Sequence, residues 1–406
     1  NTVAGRLDEL LKMKHPPGFT SESIKYPAVP NSELMVLNYT SGTTGFSKGV
    51  MITGNNLQGN MDFAHRIFNL QPGDTMLSFL PLAHTYGAAF EFLYALTEGC
   101  DITLLGKTPS PKILLKAFED VKPPLVLSVP LILEKIYRKM LLPMLNKRPM
   151  KLALSVPLLD NQIYHQIRKK LLDAFGGNLR QVIIGGAPFN AEVENFLLKI
   201  KFPVSVGYGM TECAPLISFS LCEDYVPNSC GKVLSCMEAR IDSPDPYRIP
   251  GEIQVRGQNV MSGYYKNEEA TRQASTEDGW LRTGDLGTID SDQNIFIRGR
   301  SKSMILSASG QNIYPEEIEA KLDNLPFVME SLVVERNGKL VALVYPDYDA
   351  VDSTGIDHEE LILMMNQNRE TVNEMVANYE KITEIQLFPN EFEKTPKRSI
   401  KRYLYK

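Results

Sequence analysis

The stretch NYTSGTTGFSKGVMIT, from Asn38 to Thr53, follows a short apolar run at Leu34–Leu37. Every residue from Thr40 to Gly49 except Phe46 is Gly, Ser, Thr or Lys. Glycine lets the backbone approach a ligand closely, and successive N–H groups in such a loop form an anion-binding concavity. We predict a buried strand at Leu34–Leu37 that leads into a phosphate-binding loop ending at Lys48. A flexible surface turn is the alternative interpretation.

The spacing of this loop disfavours an ordinary P-loop NTPase. The Walker A motif places Lys directly after its second conserved Gly and ends in Ser or Thr. Here Gly42, Gly45 and Lys48 are spaced differently, and Gly49 follows the lysine. The loop is therefore predicted to bind phosphate in another kind of protein.

The composition is typical of a globular protein that is large enough for two or more domains. The chain has 406 residues, 43% of them hydrophobic, and a formal net charge of −5, so no general affinity for nucleic acid is expected. Its five cysteines include no C-x-x-C pair, which favours a reducing cytoplasm over a zinc or disulfide framework. No apolar run reaches the roughly 18 residues of a membrane span. Because the first residue is Asn, we expect that an N-terminal part is missing.

Two further loops of small residues follow predicted buried strands. Gln181–Ile184 leads into GGA at 185–187, and Val204–Val206 leads into GYGMTE at 207–212. Leu125–Val129 is a third predicted strand, and Ala191–Ile200 is a predicted helix. Ligands in α/β sheets bind where strand ends meet loops, so we expect these loops and the loop at residues 40–48 to share one site.

The pattern changes to a period of two in the second half of the chain, for example at Gly251–Gly257, which predicts antiparallel strands. Beyond Gly299 we predict a compact α+β unit with a hairpin at Asn337-Gly338 and a helix from His358 to Val376. The predicted fold class is α/β. A large N-terminal α/β domain with additional antiparallel strands covers residues 1–298, and a small mobile C-terminal lid domain covers residues 299–406.

Seven segments, in order, resemble the motifs of the adenylate-forming (AMP-binding) superfamily, which includes acyl-CoA synthetases, peptide-synthetase adenylation domains and luciferases. The match is to the long-chain fatty acid–CoA ligase type and covers nearly the whole chain. The segments are TSGTTGFSK (40–48), LPLAHTYG (80–87), GGA (185–187), GYGMTE (207–212), GWLRTGDLG (279–287), RGRSKSMI (298–305) and SASGQNIYPEEIE (307–319).

The resemblance implies a role for each matching residue. Tyr208 would stack on adenine, and Asp285 and Arg300 would hold the ribose hydroxyls. The resemblance assigns catalytic roles to His84, Thr211 and Glu212. His84 would lie near the carboxylate being activated, and Glu212 would also bind magnesium. The implied nucleotide-binding residues are Thr40, Ser41, Gly42, Thr43, Thr44, Gly45, Lys48, Gly185, Gly186, Ala187, Gly207, Tyr208, Gly209, Met210, Thr211, Asp285 and Arg300.

The implied reaction is the ATP-dependent activation of a long-chain fatty acid to an acyl-adenylate, followed by transfer to coenzyme A. ATP and Mg²⁺ would be required, coenzyme A would be the co-substrate, and AMP and pyrophosphate would be released. Two alternatives stay open: a ligase for another carboxylate or for an acyl-carrier protein, and an adenylate-binding protein with little turnover. A cytoplasmic location is expected, and the basic tail Lys394–Lys406 leaves peripheral association with a membrane open.

The sequence departs from the family pattern in its C-terminal part. Gly299 stands where many relatives carry Asp before the ribose-binding Arg, and glycine suits a hinge. The catalytic lysine slot falls on Ser399, which Lys397 and Lys401 flank. We predict that Lys401 serves adenylation, because it lies next to Arg402, which fits the motif.

Overall fold

The computed structural model of the chain describes residues 9, 13–14, 29–41, 47–107, 109–156, 159–307, 311–394 and 400–405. Its strands are β1 Leu34–Ser41, β2 Ser47–Thr53, β3 Thr75–Ser78, β4 Asp101–Leu104, β5 Leu125–Ser128, β6 Gln181–Ile184, β7 Val204–Val206, β8 Tyr208–Gly209, β9 Leu216–Phe219, β10 Lys232–Val233, β11 Met237–Asp242, β12 Gly251–Gly257, β13 Gly263–Tyr264, β14 Leu281–Ile289, β15 Ile295–Arg300, β16 Ile305–Leu306, β17 Asn312–Ile313, β18 Val328–Arg336, β19 Lys339–Pro346 and β20 Ile382–Leu387.

Helices lie between these strands. The α-helices are α1 Gly54–Ile67, α2 Ala95–Thr97, α3 Pro111–Val121, α4 Pro130–Ile136, α5 Leu142–Leu145, α6 Arg148–Leu154, α7 Leu159–Ala174, α8 Ala191–Lys199, α9 Glu268–Gln273, α10 Pro315–Leu322, α11 Tyr348–Thr354 and α12 His358–Glu374. Two π-helical segments cover Gly87–Tyr94 and Tyr137–Leu141, and short 3₁₀ turns cover Thr211–Cys213, Asn378–Glu380 and Arg402–Leu404.

Strands β5, β6 and β7 form a parallel sheet in that order, and every one of their residues is buried. Fully buried parallel strands read as continuous apolar runs, and this is why they were predicted from the sequence. The helix α8 begins where expected. Asn190 caps it, with its side-chain oxygen accepting from the N–H groups of Glu192 and Val193.

The other large sheets of the described chain are antiparallel or mixed. Strands β11, β12, β14 and β15 form one antiparallel sheet, and β1, β2 and β13 form another. The combination of buried parallel strands, helices and added antiparallel sheets confirms the predicted α/β fold class.

The prediction that Leu34–Leu37 is buried was wrong, although the strand itself exists. Leu34 is 47% exposed and Met35 is 55% exposed. In the described sheet, β1 lies at an edge and has β2 as its one neighbour. An apolar run therefore identified the strand but not its position in the sheet, because an edge strand can have the same residues as a central one.

The C-terminal part has its own sheet and its own apolar clusters. Strands β18 and β19 form the predicted hairpin, and β20 pairs with β19 in parallel. Asn337 and Gly338 form the two-residue turn with φ of 55° and 72°, the left-handed values that such a turn requires. The main apolar cluster draws its buried members from residues 50–295, and two smaller clusters draw theirs from residues 313–392. Within the described ranges, no helix is both long and apolar enough to span a membrane.

Glu91 is a buried acid in the π-helical segment Gly87–Tyr94. Its Oε2 accepts hydrogen bonds from the hydroxyl of Ser78 at 3.1 Å and from the N–H groups of Phe79 at 3.1 Å and Leu80 at 3.0 Å. These bonds hold the end of β3, where the segment LPLAHTYG begins. Burial raises the pKa of Glu91 to about 8, although the three donors oppose the shift.

The raised pKa predicts how stability depends on pH. Between about pH 4.5 and 8 the unfolded chain loses this proton while the folded chain keeps it, so the free energy of unfolding should fall as pH rises. The contribution of Glu91 is at most about 1.4 kcal/mol per pH unit and is complete above the folded pKa. Glu91→Gln should remove this contribution to the pH dependence, which is measured as the difference between the free energies of unfolding from urea titrations at pH 5 and pH 8. Glu335→Gln, at an exposed site in β18, is the control, and an unchanged slope in Glu91→Gln would contradict the assignment.

Candidate active site

Two of the small-residue loops meet at the carboxyl ends of β6 and β7. The N–H of Gly207 donates to the carbonyl of Ile184 at 2.9 Å, which ties the start of one loop to the start of the other. Gly186 has a φ of 87°, a conformation that residues with a side chain rarely adopt. The loops at residues 185–187 and 207–212 therefore lie side by side, as expected for ligand binding at strand ends.

The segment LPLAHTYG packs against the first of these loops through Tyr86. A Cβ atom placed on Gly185 would lie 3.3 Å from the ring of Tyr86, and the Tyr86 hydroxyl donates to the carbonyl of Ile183 at 3.0 Å. His84 is half-buried in a turn, with its N–H donating to the carbonyl of Pro81. The structure thus brings His84's segment to the edge of the predicted adenine site.

Tyr208 and Asp285 are in direct contact, although they lie in different motifs. The Tyr208 hydroxyl donates to Oδ2 of Asp285 at 2.7 Å, and Nε of Arg300 lies 3.1 Å from Oδ1. Asp285 and Arg300 are also paired residues of β14 and β15. Burial raises the pKa of Asp285 above its usual value, and Arg300 and Tyr208 oppose that shift. Each carboxylate oxygen keeps a second lone pair, so both can still accept from a ribose hydroxyl.

Lys48 and Glu212 are joined through Tyr264, which the sequence analysis missed. The ammonium of Lys48 lies 4.7 Å from the centre of the Tyr264 ring, and the Tyr264 hydroxyl donates to Oε1 of Glu212 at 2.9 Å. Tyr264 lies in none of the recognised motifs. The pair Gly263-Tyr264, shortly after a strand with a period of two, was the available signal, and it does not point to a site.

The described residues on either side of the predicted phosphate loop pair with each other. Thr40 pairs with Lys48 and Ser41 with Ser47 across β1 and β2. Phosphate binding by this loop stays a prediction. Gly42, Thr43, Thr44 and Gly45 lie outside the described residues.

The C-terminal residues fall into a separate group. Arg402 pairs with Glu319 and, at 3.6 Å, with Glu316, and a Cβ atom on Gly299 would lie 3.0 Å from Oε2 of Glu316. The ammonium of Lys401 pairs with Glu393 at 3.2 Å, the residue just before the tail Lys394–Lys406. Among the described residues, the acid that Lys401 contacts in this conformation is therefore Glu393, and not one in the Tyr208 or Tyr264 groups. Ser399 and Lys397 lie outside the described residues.

The donor chemistry around Glu212 suits magnesium that arrives with a nucleotide. In the described part of the chain, no three His, Cys, Asp or Glu side chains form a group that could hold a metal ion. Mg²⁺ commonly binds through one or two carboxylates together with substrate phosphates and waters, without a protein cage. One half-buried carboxylate, with Oε2 not used by Tyr264, fits this mode.

Comparison with solved structures supports the fold. ATP-bound MatB from Rhodopseudomonas palustris has a TM-score of 0.72 and 25% identity, over 93% of this chain and 68% of that one. O-succinylbenzoate CoA synthetase (MenE) from Bacillus subtilis, in complex with the acyl-adenylate OSB-AMP, has a TM-score of 0.73 and 25% identity, over 98% and 73%.

Curated relatives carry names of CoA ligases. The long-chain-fatty-acid–CoA ligase FadD15 of Mycobacterium bovis is 29% identical over 417 residues, which cover 92% of this chain and 68% of the relative. The 4-coumarate-CoA ligase 1 of Narcissus pseudonarcissus is 32% identical over 320 residues, covering 74% and 52%. The family model for the AMP-binding enzymes matches residues 5–265. Because this match covers more than half of the chain, the chain belongs to the AMP-binding enzyme family.

Proposed function

We propose that the protein is an AMP-forming acid–CoA ligase whose substrate is a long-chain fatty acid. The observation that carries the proposal is the contact of Asp285 with both Tyr208 and Arg300. It joins the residues expected to bind adenine and ribose across 77 positions of sequence. The fatty-acid assignment is supported by the relative named as a long-chain-fatty-acid–CoA ligase.

In the proposed reaction a carboxylate oxygen of the acid attacks the α-phosphorus of ATP, and pyrophosphate leaves. The thiol of coenzyme A then attacks the acyl carbon, and AMP leaves. Both steps depend on positioning and on charge stabilisation at the phosphate. Lys48, Thr211 and the loop residues Gly42, Thr43, Thr44 and Gly45 bind the phosphates. Asp285 and Arg300 hold the ribose, and His84 lies towards the acid. Mg²⁺ held by Glu212 would neutralise charge on the phosphate oxygens.

The same proposal divides the chain into a large domain, residues 1–298, and a small mobile domain, residues 299–406. The separate apolar clusters support this division. Gly299 would act as the hinge, because a residue without a side chain accommodates large backbone changes.

A panel of carboxylates tests the substrate. Palmitate and oleate should support ATP–pyrophosphate exchange and thioester formation with coenzyme A, and 4-coumarate and o-succinylbenzoate should support both weakly. Aromatic acids are the second candidate, because the coumarate ligase is 32% identical over three quarters of this chain. If the enzyme prefers 4-coumarate, the proposed substrate would be an aromatic acid and not a fatty acid. If none of the acids in the panel supports ATP–pyrophosphate exchange, the result would instead favour an adenylate-binding protein with little turnover.

Asp285→Ala should weaken ATP binding while the protein stays folded. Hydrogen bonds to a charged partner are typically worth about 1.5–3 kcal/mol, so we expect the dissociation constant for ATP to rise about tenfold or more. The measurement is isothermal titration calorimetry with ATP, together with thermal unfolding. Asp292→Ala, an exposed aspartate in the turn between β14 and β15, should bind ATP normally. Unchanged affinity in a folded Asp285→Ala protein would refute the ribose role.

Lys401→Ala should slow adenylation strongly and leave thioester formation from preformed acyl-adenylate intact. The reason is that a lysine charge would stabilise the transition state in the adenylating pose alone, and losing one such group typically costs on the order of 10²-fold in rate. In that pose the ammonium would have to leave Glu393. The two half-reactions are assayed separately, and Lys397→Ala, at the other side of Ser399, should lose much less. A normal adenylation rate in Lys401→Ala would show that this lysine is not the catalytic one.

A further inference from the structure

Tyr264 contacts two residues of opposite charge, Lys48 and Glu212. Its ring lies under the ammonium of Lys48 at 4.7 Å, and its hydroxyl donates to Glu212 at 2.9 Å. An ammonium over an aromatic face is attracted by the ring electrons. The tyrosine thus satisfies both groups at once without neutralising either charge.

The backbone holds Tyr264 firmly between these two partners. Tyr264 pairs with Val50 across β13 and β2, and Val50 lies two positions after Lys48 in β2, so Lys48 and Val50 point to the same face. On the other side, the N–H of Met261 donates to the carbonyl of Glu212 at 2.8 Å. Main-chain hydrogen bonds therefore tie both Glu212 and the strand that carries Lys48 to the segment that carries the ring.

The side chain of Tyr264 is suited to a fixed role as a donor. It is 8% exposed, and its N–H is bonded to the hydroxyl of Thr271 at 2.9 Å. A tyrosine hydroxyl ordinarily keeps its proton at neutral pH, so this group continues to donate. A hydrogen bond to Oε1 sets the orientation of the carboxylate and leaves Oε2 directed elsewhere.

We propose that Tyr264 is a positioning residue that holds Glu212 and Lys48 at a set spacing, so that the carboxylate receives the metal ion and the ammonium receives the phosphates of Mg²⁺-bound ATP. This inference rests on the proposed function. The hydroxyl of Tyr264 would contribute to the part of ATP binding that depends on Mg²⁺, because it orients Glu212. The ring would contribute to the part that does not depend on Mg²⁺, because it contacts Lys48.

The test compares the affinity for ATP in the presence of MgCl₂ with that in the presence of EDTA, by calorimetry on the full chain. Tyr264→Phe keeps the ring under Lys48 and removes the hydrogen bond to Glu212. We expect the gain in affinity that Mg²⁺ gives to shrink about tenfold, the usual scale for one hydrogen bond to a charged group, with metal-free ATP binding unchanged. Tyr264→Leu removes the ring as well and should weaken metal-free binding too.

Two controls isolate the hydroxyl. Tyr265→Phe removes a hydroxyl from the neighbouring residue, which is 42% exposed, and should change neither affinity. Glu212→Gln should abolish most of the gain in ATP affinity that Mg²⁺ gives. Because Tyr264 acts through that carboxylate, the double variant Glu212→Gln with Tyr264→Phe should lose no more of this gain than Glu212→Gln alone.

The outcomes separate this inference from the function on which it rests. If the wild-type chain binds ATP more tightly with Mg²⁺ and Tyr264→Phe shows the same gain, Tyr264 is a packing residue and the positioning role is overturned. The positioning role is also overturned if the loss of Mg²⁺-dependent affinity in the double variant equals the sum of the losses in the two single variants. If the wild-type chain binds ATP neither with nor without Mg²⁺, the proposed function fails and the inference fails with it.

Discussion

Two buried asparagines of α1 hold together the segments from which the site is built. The amide of Asn56 donates to the carbonyls of Gln258 at 2.8 Å and Val260 at 2.7 Å. Asn60 donates to the carbonyl of Cys213 at 3.3 Å and accepts from the N–H of Leu216 at 3.0 Å. Buried main-chain groups left without such partners would each cost about 1–3 kcal/mol. Because α1 directly follows the strand that carries Lys48, these bonds place the Glu212 and Tyr264 segments opposite that lysine. Residues separated by about two hundred positions thereby become neighbours.

The elements that could be predicted are those with a local cause. Buried parallel strands are apolar throughout, and Asn337-Gly338 forms the hairpin turn because both residues tolerate positive φ. The motifs gave Tyr208 and Asp285 as separate residues, and no local pattern contains their mutual contact. Tyr264 was missed because its function depends on Lys48 and Glu212, neither of which is near it in sequence. The burial of β1 was misjudged for a related reason, since an apolar run does not state which strands will flank it.

Polar contacts in the described part of the chain link the proposed small C-terminal domain to the proposed large one. Arg138 donates to the carbonyls of Asp323 and, at 3.2 Å, Val328, and the amide of Asn190 donates to the side chain of Asn324. Asn190 also caps α8, so one residue serves both purposes. Contacts of this kind can be exchanged at small cost, in contrast to a large apolar interface, which suits the domain rotation proposed for a hinge at Gly299.

Two tyrosines hold the two acids of the site in the same way. Tyr208 donates to Asp285, and Tyr264 donates to Glu212. A phenol orients a carboxylate without cancelling its charge, whereas a lysine or arginine in the same place would compete with a metal ion or a ribose hydroxyl. Among the described residues, Arg300 is the cation that pairs with Asp285, and its side chain is 65% exposed, so solvent weakens the pair. Both acids therefore remain available to a ligand, and their orientation is already set before the ligand arrives.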